Sequence, residues 1–170
     1  RFPRKDTCLA IYSHRVNTQR PLADTLQLMF PWCAEWEPDL NQLFGSYAER
    51  KISNAALDYD HLLLYWHAMM QDEALAAEIG ARFDHVLVDE YQDTNALQAE
   101  ILTRLRPNGR GVTVVGDDAQ AIYSFRAATV ENILGFPGQY VNANGCPASV
   151  VTLEVNYRST QGVLDAANTL

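Results

Sequence analysis

His85-Val86-Leu87-Val88-Asp89-Glu90 is a short apolar run closed by two carboxylates. Val112-Thr113-Val114-Val115-Gly116-Asp117-Asp118 repeats the pattern further along the chain. Between the two, Asn95 stands three residues before Gln98, which is capping-box spacing, and Leu97, Ile101, Leu102 and Leu105 supply one apolar helix face. Pro107-Asn108-Gly109-Arg110-Gly111 is a turn. A polar loop over 135–149 leads to a third apolar run over 150–155, followed by Asn156-Tyr157-Arg158-Ser159-Thr160. Val163, Leu164 and Ala167 predict a last helix. Continuous apolar runs separated by helices imply an α/β fold whose parallel sheet is covered on both faces. In such sheets function gathers beyond the carboxyl ends of the strands. All three runs end in polar residues capable of chemistry.

The first 80 residues read differently, as helices. Pro21 suits a first helical turn, with Leu22, Leu26 and Met29 on one face, and Pro31 ends it. Trp32, Trp36, Leu40, Leu43 and Phe44 supply core contacts around Pro38. A helix over 54–70 is so crowded with apolar side chains that burial on more than one side is expected. His61 and His67 lie on it six apart, a spacing that does not stack two ligands on one face. A further helix over 73–79 ends at Gly80.

Composition sets limits. The 170 residues, 48% hydrophobic and 20% charged, suffice for one ordinary domain or two small ones. No apolar run approaches the roughly 18 residues that a membrane helix needs, and no signal-peptide pattern opens the chain. Cys8, Cys33 and Cys146 form no CxxC or Cys/His cluster, so free thiols in a reducing, cytoplasmic setting are expected. The net charge of −8 argues against binding nucleic acid by bulk charge. The charge is uneven: +4 over residues 1–20, −8 over 21–80 and −4 over 81–170. The chain opens with Arg1 and is expected to be a fragment or a processed product.

The strand ends are the candidate site. An acidic residue at the end of such a strand holds magnesium in nucleotide hydrolases, and its neighbour orients or deprotonates water. Asp89 and Glu90 fit, although alone the pair also reads as a turn or a helix cap. Gln120 can sense a terminal phosphate by hydrogen bonding. Tyr123, Phe125 and Arg126 offer flat faces and a cation for single-stranded bases, or are ordinary core residues. Arg158 can bind an anion and Tyr157 can stack, while Ser159 or Thr160 can cap a helix. Asp89, Glu90, Asp117 and Asp118 together also admit a two-metal nuclease. A non-catalytic interaction module on the same fold is a further alternative.

Taken together, the segments resemble the UvrD/Rep/PcrA branch of superfamily 1 DNA helicases. VDEYQDTNALQ (88–98) resembles that family's Walker B motif. VGDDAQAIYSFRAA (115–128) resembles the motif that couples ATP to DNA. LEVNYRST (153–160) resembles the motif with an adenine-stacking tyrosine and a phosphate-sensing arginine. LDYDHLL (57–63) resembles a segment leading into the Walker B strand. The likeness is dense from Leu57 onward and thin over residues 1–50. It implies ATP and magnesium as cofactors and single-stranded and duplex DNA as partners. It also implies a partial RecA-like P-loop NTPase domain preceded by a helical subdomain. Asp89 would coordinate magnesium, Glu90 activate water and Gln120 contact the terminal phosphate. Tyr123 and Phe125 would line the DNA path, with Arg126 linking it to the nucleotide. Tyr157 would stack on adenine, and Arg158 would act as an arginine finger. Ala121 stands where the family usually has serine, Ala127 where it has glycine, and Phe125 where several relatives have tryptophan.

One part is missing. The family's Walker A loop, GxxxxGK[ST], has no counterpart here; Lys5 and Lys51 are the two lysines, and neither follows a glycine-rich loop. The expectation is a fragment, with residues 1–79 as a helical insertion and 80–170 as the later part of the first RecA-like domain. Such a fragment is expected to be inactive alone. An exposed sheet edge is expected to favour self-association.

Overall fold

The computed structural model describes residues 1–123, 127–141 and 145–169. Five helices come first: α1 (Lys5–Thr18), α2 (Leu22–Met29), α3 (Glu37–Ser53), α4 (Tyr59–Met70) and α5 (Glu73–Gly80). Strand β1 (Val86–Val88), helix α6 (Ala96–Leu105) and strand β2 (Val112–Val114) form a βαβ unit, followed by α7 (Glu131–Gln139) and α8 (Gln161–Thr169). β1 and β2 pair in parallel, Val86 with Val112 and Val88 with Val114.

Three apolar clusters hold these elements. Ile11, Leu26, Cys33, Leu40 and Phe44 join α1, α2 and α3. Met70, Ala76 and Ile101 join α4 and α5 to α6. Tyr91, Leu102, Phe136 and Tyr140 pack with Val86, Val88, Val112 and Val114 beneath the sheet. Among the described residues, that sheet is covered on one face only. The two-residue period sends Leu87 to the other side, where it is 77% exposed. The cover expected on both faces is not found there among the described residues, none of the three clusters including Leu87.

The structure changes other expectations too. α4 starts at Tyr59 rather than 54, because Asp58 caps it by accepting the His61 N–H, and α3 occupies the stretch up to Ser53. α4 is covered on one side: Leu62, Tyr65, Trp66 and Met69 are exposed. Trp32, expected in the core, is exposed, whereas Trp36 packs against the first cluster. Gly80 is the last residue of α5 and not a left-handed cap. Its missing side chain allows close packing, since a Cβ there would stand 2.8 Å from the Leu105 carbonyl oxygen. α7 carries the chain past Gly135, where a loop was expected, because Ile133, Phe136 and Tyr140 anchor it under the sheet. The 150–155 run forms no strand. Val150, Val151, Leu153 and Val155 are exposed, and no described residue pairs with them. A strand exists through its partner, and an apolar run without one forms none.

Candidate strand-tip site

The Asn95–Gln98 capping box is present: Asn95 Oδ1 accepts the Gln98 N–H at 2.9 Å, and Gln98 Oε1 accepts the Asn95 N–H at 3.0 Å. It starts α6 immediately beyond the first strand tip. Asp89 and Glu90 therefore lie in a short, fixed connection between β1 and α6. Asp89 Oδ1 accepts the Glu90 N–H at 2.9 Å. Glu90 itself adopts a left-handed backbone with φ 50°. A non-glycine residue there costs about 1–2 kcal/mol, the kind of strain that clusters at working sites.

The second tip is tied to the first. Val115 N–H donates to the Val88 carbonyl at 2.8 Å, and Tyr91 N–H donates to the Val115 carbonyl at 2.9 Å. Gln92, only 1% exposed, spans the two tips. Its Nε2 donates to Glu90 Oε2 at 2.8 Å, and its Oε1 accepts the Asp117 N–H at 3.0 Å. Asp117 then caps the turn Asp118–Gln120: Oδ1 accepts the Ala119 N–H at 3.0 Å and Oδ2 accepts Gln120 Nε2 at 2.9 Å. Gly116 is needed for room, since a Cβ there would stand 2.4 Å from Gln92 Oε1. It has no left-handed φ, so close approach rather than a sharp turn accounts for the glycine.

The structure thus brings Asp89, Glu90 and Gln120 into one hydrogen-bonded unit. Gln92 was not singled out in the sequence. Its signal was present within the run Asp89-Glu90-Tyr91-Gln92, but its use depends on Gly116, distant in sequence. Tyr91 packs beneath the tips, edge-on to Phe136 at 5.4 Å. Burial, with Tyr140 nearby, pushes its phenol up to about 12. The nuclease grouping does not form: both Asp117 oxygens are engaged, and no group of three or more His, Cys, Asp or Glu among the described residues can hold a metal.

Tyr123 is partly exposed, and Phe125 and Arg126 lie outside the described residues. Beyond them Ala127 is buried with φ 64°, left-handed at the position where glycine is usual in the resembling family. The following backbone is sewn back onto the first tip, with Thr129 N–H donating to the Thr94 carbonyl at 3.1 Å. Tyr157 and Arg158 are not drawn in. Tyr157 is 93% exposed, and the Arg158 and Ser159 N–H groups both donate to Asn156 Oδ1. Among the described residues, no side-chain bond joins either residue to the two tips. A groove of about 550 Å³, lined by Met70, Gly80, Leu105 and Arg106 among others, lies at the opposite, amino-terminal edge of the strands. The tips are marked by their chemistry and not by enclosure.

Lys51 is accounted for elsewhere. It is 8% exposed, with Nζ 2.6 Å from Asp58 Oδ2, 2.6 Å from His61 Nδ1 and 3.8 Å above the Tyr47 ring. Burial opposes ionisation of Asp58, but hydrogen bonds from Lys51, His61 and Tyr47 outweigh it and hold the carboxyl far below its usual range. His67 pairs with Glu100 at 3.0 Å. Both histidines are thus engaged by neighbouring side chains.

No described helix is long and apolar enough to cross a membrane. Residues 8–141 match the UvrD/REP helicase N-terminal domain family. The chain is 37% identical over 130 residues to the ATP-dependent DNA helicase PcrA of Bacillus subtilis (strain 168), covering 76% of this chain and 17% of that protein. It is 38% identical over 128 residues to PcrA of Leuconostoc citreum, covering 75% and 16%. It is 40% identical over 136 residues to the ATP-dependent DNA helicase UvrD1 of Mycobacterium tuberculosis (strain ATCC 25618 / H37Rv), covering 75% and 17%. The chain therefore spans less than a fifth of the length of these relatives. Its motifs, its strand-tip geometry and these matches together place it in a family: the chain belongs to the UvrD/REP helicase N-terminal domain family.

Proposed function

We propose that the chain is part of an ATP-driven DNA helicase of the UvrD type, in which ATP hydrolysis at the strand tips powers movement along single-stranded DNA and parting of the duplex. The observation that carries this reading is the hydrogen-bonded union of Asp89-Glu90 with the turn bearing Gln120. An ATPase needs its acidic strand end and its phosphate sensor held in register, and a run of hydrogen bonds through Gln92 and Asp117 ties these two together.

The chain's own residues take these roles. Asp89 offers an exposed carboxylate with one oxygen on the Glu90 N–H and no cationic partner among the described residues. That suits magnesium, which takes one or two carboxylates and fills its other positions with water and phosphate. Bound there, the ion would neutralise phosphate charge. Glu90 accepts a water proton, and Gln120 hydrogen-bonds the terminal phosphate. Tyr157 stacks on adenine and Arg158 supplies positive charge once their segment is brought to the tips. Tyr123, Phe125 and Arg126 contact single-stranded DNA. Residues 1–79 contribute the helical insertion and 80–170 the ATPase core, in a cytoplasmic protein. The open face bearing Leu87, with the exposed 150–155 segment, supports self-association through the sheet edge.

The chain alone does not turn over ATP in this reading. Lys51 is consumed by Asp58 and His61, and Lys5 stands on α1, so no lysine is available to cradle phosphates. The test is Glu90→Gln in the full-length protein. ATP binding is expected to persist while turnover falls by about 10²–10⁴, the usual contribution of a positioned base. Undiminished turnover would remove Glu90 from its role and overturn the assignment of the site.

A further inference from the structure

We propose that Gln92 is a positioning residue that sets the Glu90 carboxylate against the Gln120-bearing turn, so that water activation and phosphate sensing stay in register. The inference rests on the ATPase reading above and adds to it a residue that reading does not require.

A buried amide usually satisfies backbone groups left over by irregular structure. Gln92 spends only one end that way, on the Asp117 N–H. Its donor end goes to Glu90 Oε2, a carboxylate otherwise free to swing toward solvent. With one Glu90 oxygen pinned, the other alone is presented for a water proton. The second tip is shaped around the same amide, because Gly116 leaves room for Gln92 Oε1 that any side chain would take. Asp117 then continues from its N–H to its carboxylate and on to Gln120 Nε2. The path from Glu90 to Gln120 therefore runs through Gln92 without a gap. An amide meets both demands of this position, which must donate on one side and accept on the other.

The experiment uses the full-length protein and two variants. Gln92→Glu keeps the volume and the acceptor for Asp117 N–H but replaces the donor to Glu90 with a second carboxylate. Gln92→Met keeps the approximate volume and removes both bonds. Each is measured for ATP KM, for kcat with and without a single-stranded oligonucleotide, and for thermal melting. The expected result is a fall in kcat of about tenfold or more in both, as a small misplacement of a reacting group produces, with KM within twofold. Combining Gln92→Glu with Gln120→Ala is expected to cost less than the product of the two separate losses, because both break one path. If Gln92→Met fails to fold, Gln92→Glu still decides the matter through its KM and kcat. The proposal is overturned if Gln92→Glu keeps kcat within twofold of the parent, or if the two losses multiply. It is equally overturned if kcat, KM and melting temperature deteriorate together, which marks a purely structural amide. Should Glu90→Gln itself leave turnover intact, the site assignment fails instead.

Discussion

Two groups of carboxylates sit in this chain, and they are satisfied in opposite ways. Asp58 is met by a buried cation: Lys51 at 2.6 Å, boxed in by Tyr12, Tyr47 and His61. Glu90 and Asp117 are met by amides, those of Gln92, Gln120 and the backbone. A cation at contact distance cancels the charge and locks three helices together. An amide orients a carboxylate and leaves its charge in place. The first arrangement suits a scaffold, and the second suits a site that must attract a metal ion or take a proton.

The contrast is easiest to break at its buried end. Lys51→Met leaves Asp58 without its cation and is expected to cost about 2–4 kcal/mol, less than the full buried-pair range because a third of Asp58 faces water. Asp89→Asn, by contrast, is expected to stay within about 0.5 kcal/mol of the parent, since it is a surface substitution. Urea melts of the two side by side test the contrast, and equal losses would erase it.

Acid sharpens it. The carboxyl of Asp58 is depressed in the folded state, so its contribution is fully present above the ordinary carboxylate range. It is lost progressively as pH falls below about 4 toward the folded value. Melting temperature should therefore drop below pH 4 in the parent and drop less in Lys51→Met.

The smallest effect concerns strain. Ala127 is buried in a left-handed conformation that glycine adopts freely. Ala127→Gly is expected to stabilise the chain by about 0.5–1 kcal/mol, the relief of strain being partly offset by the greater freedom of glycine when unfolded. A denaturant midpoint that does not move would assign the φ no cost.

Local chemistry was legible. The runs ending at Asp89 and Asp117 became β1 and β2, and the Asn95–Gln98 box starts α6, because strand period and capping act over a few residues. Gln92 escaped notice because its meaning depends on Gly116, on another strand tip. The Lys51–Asp58–His61 cluster escaped for the same reason, with α1 and α3 supplying parts that no motif announces. α7 was hidden by Gly135 and Pro137, whose helix-breaking reputation yields here to the anchoring of Phe136 against Tyr91. The 150–155 run has the composition of a strand, and no described residue pairs with it to make it one.

The amide of Asn95 has one more partner: its Nδ2 donates to Asn17 Oδ1 at 2.9 Å across 78 positions of sequence, and Asn17 Nδ2 in turn donates to Asp60 Oδ1 at 2.8 Å. This latch ties α1 to both α4 and α6, and its long loop makes it costlier to close early than contacts local in sequence. It is therefore expected to form late in refolding. A mutation at Asn17 would leave early collapse untouched and speed the reopening of the finished molecule.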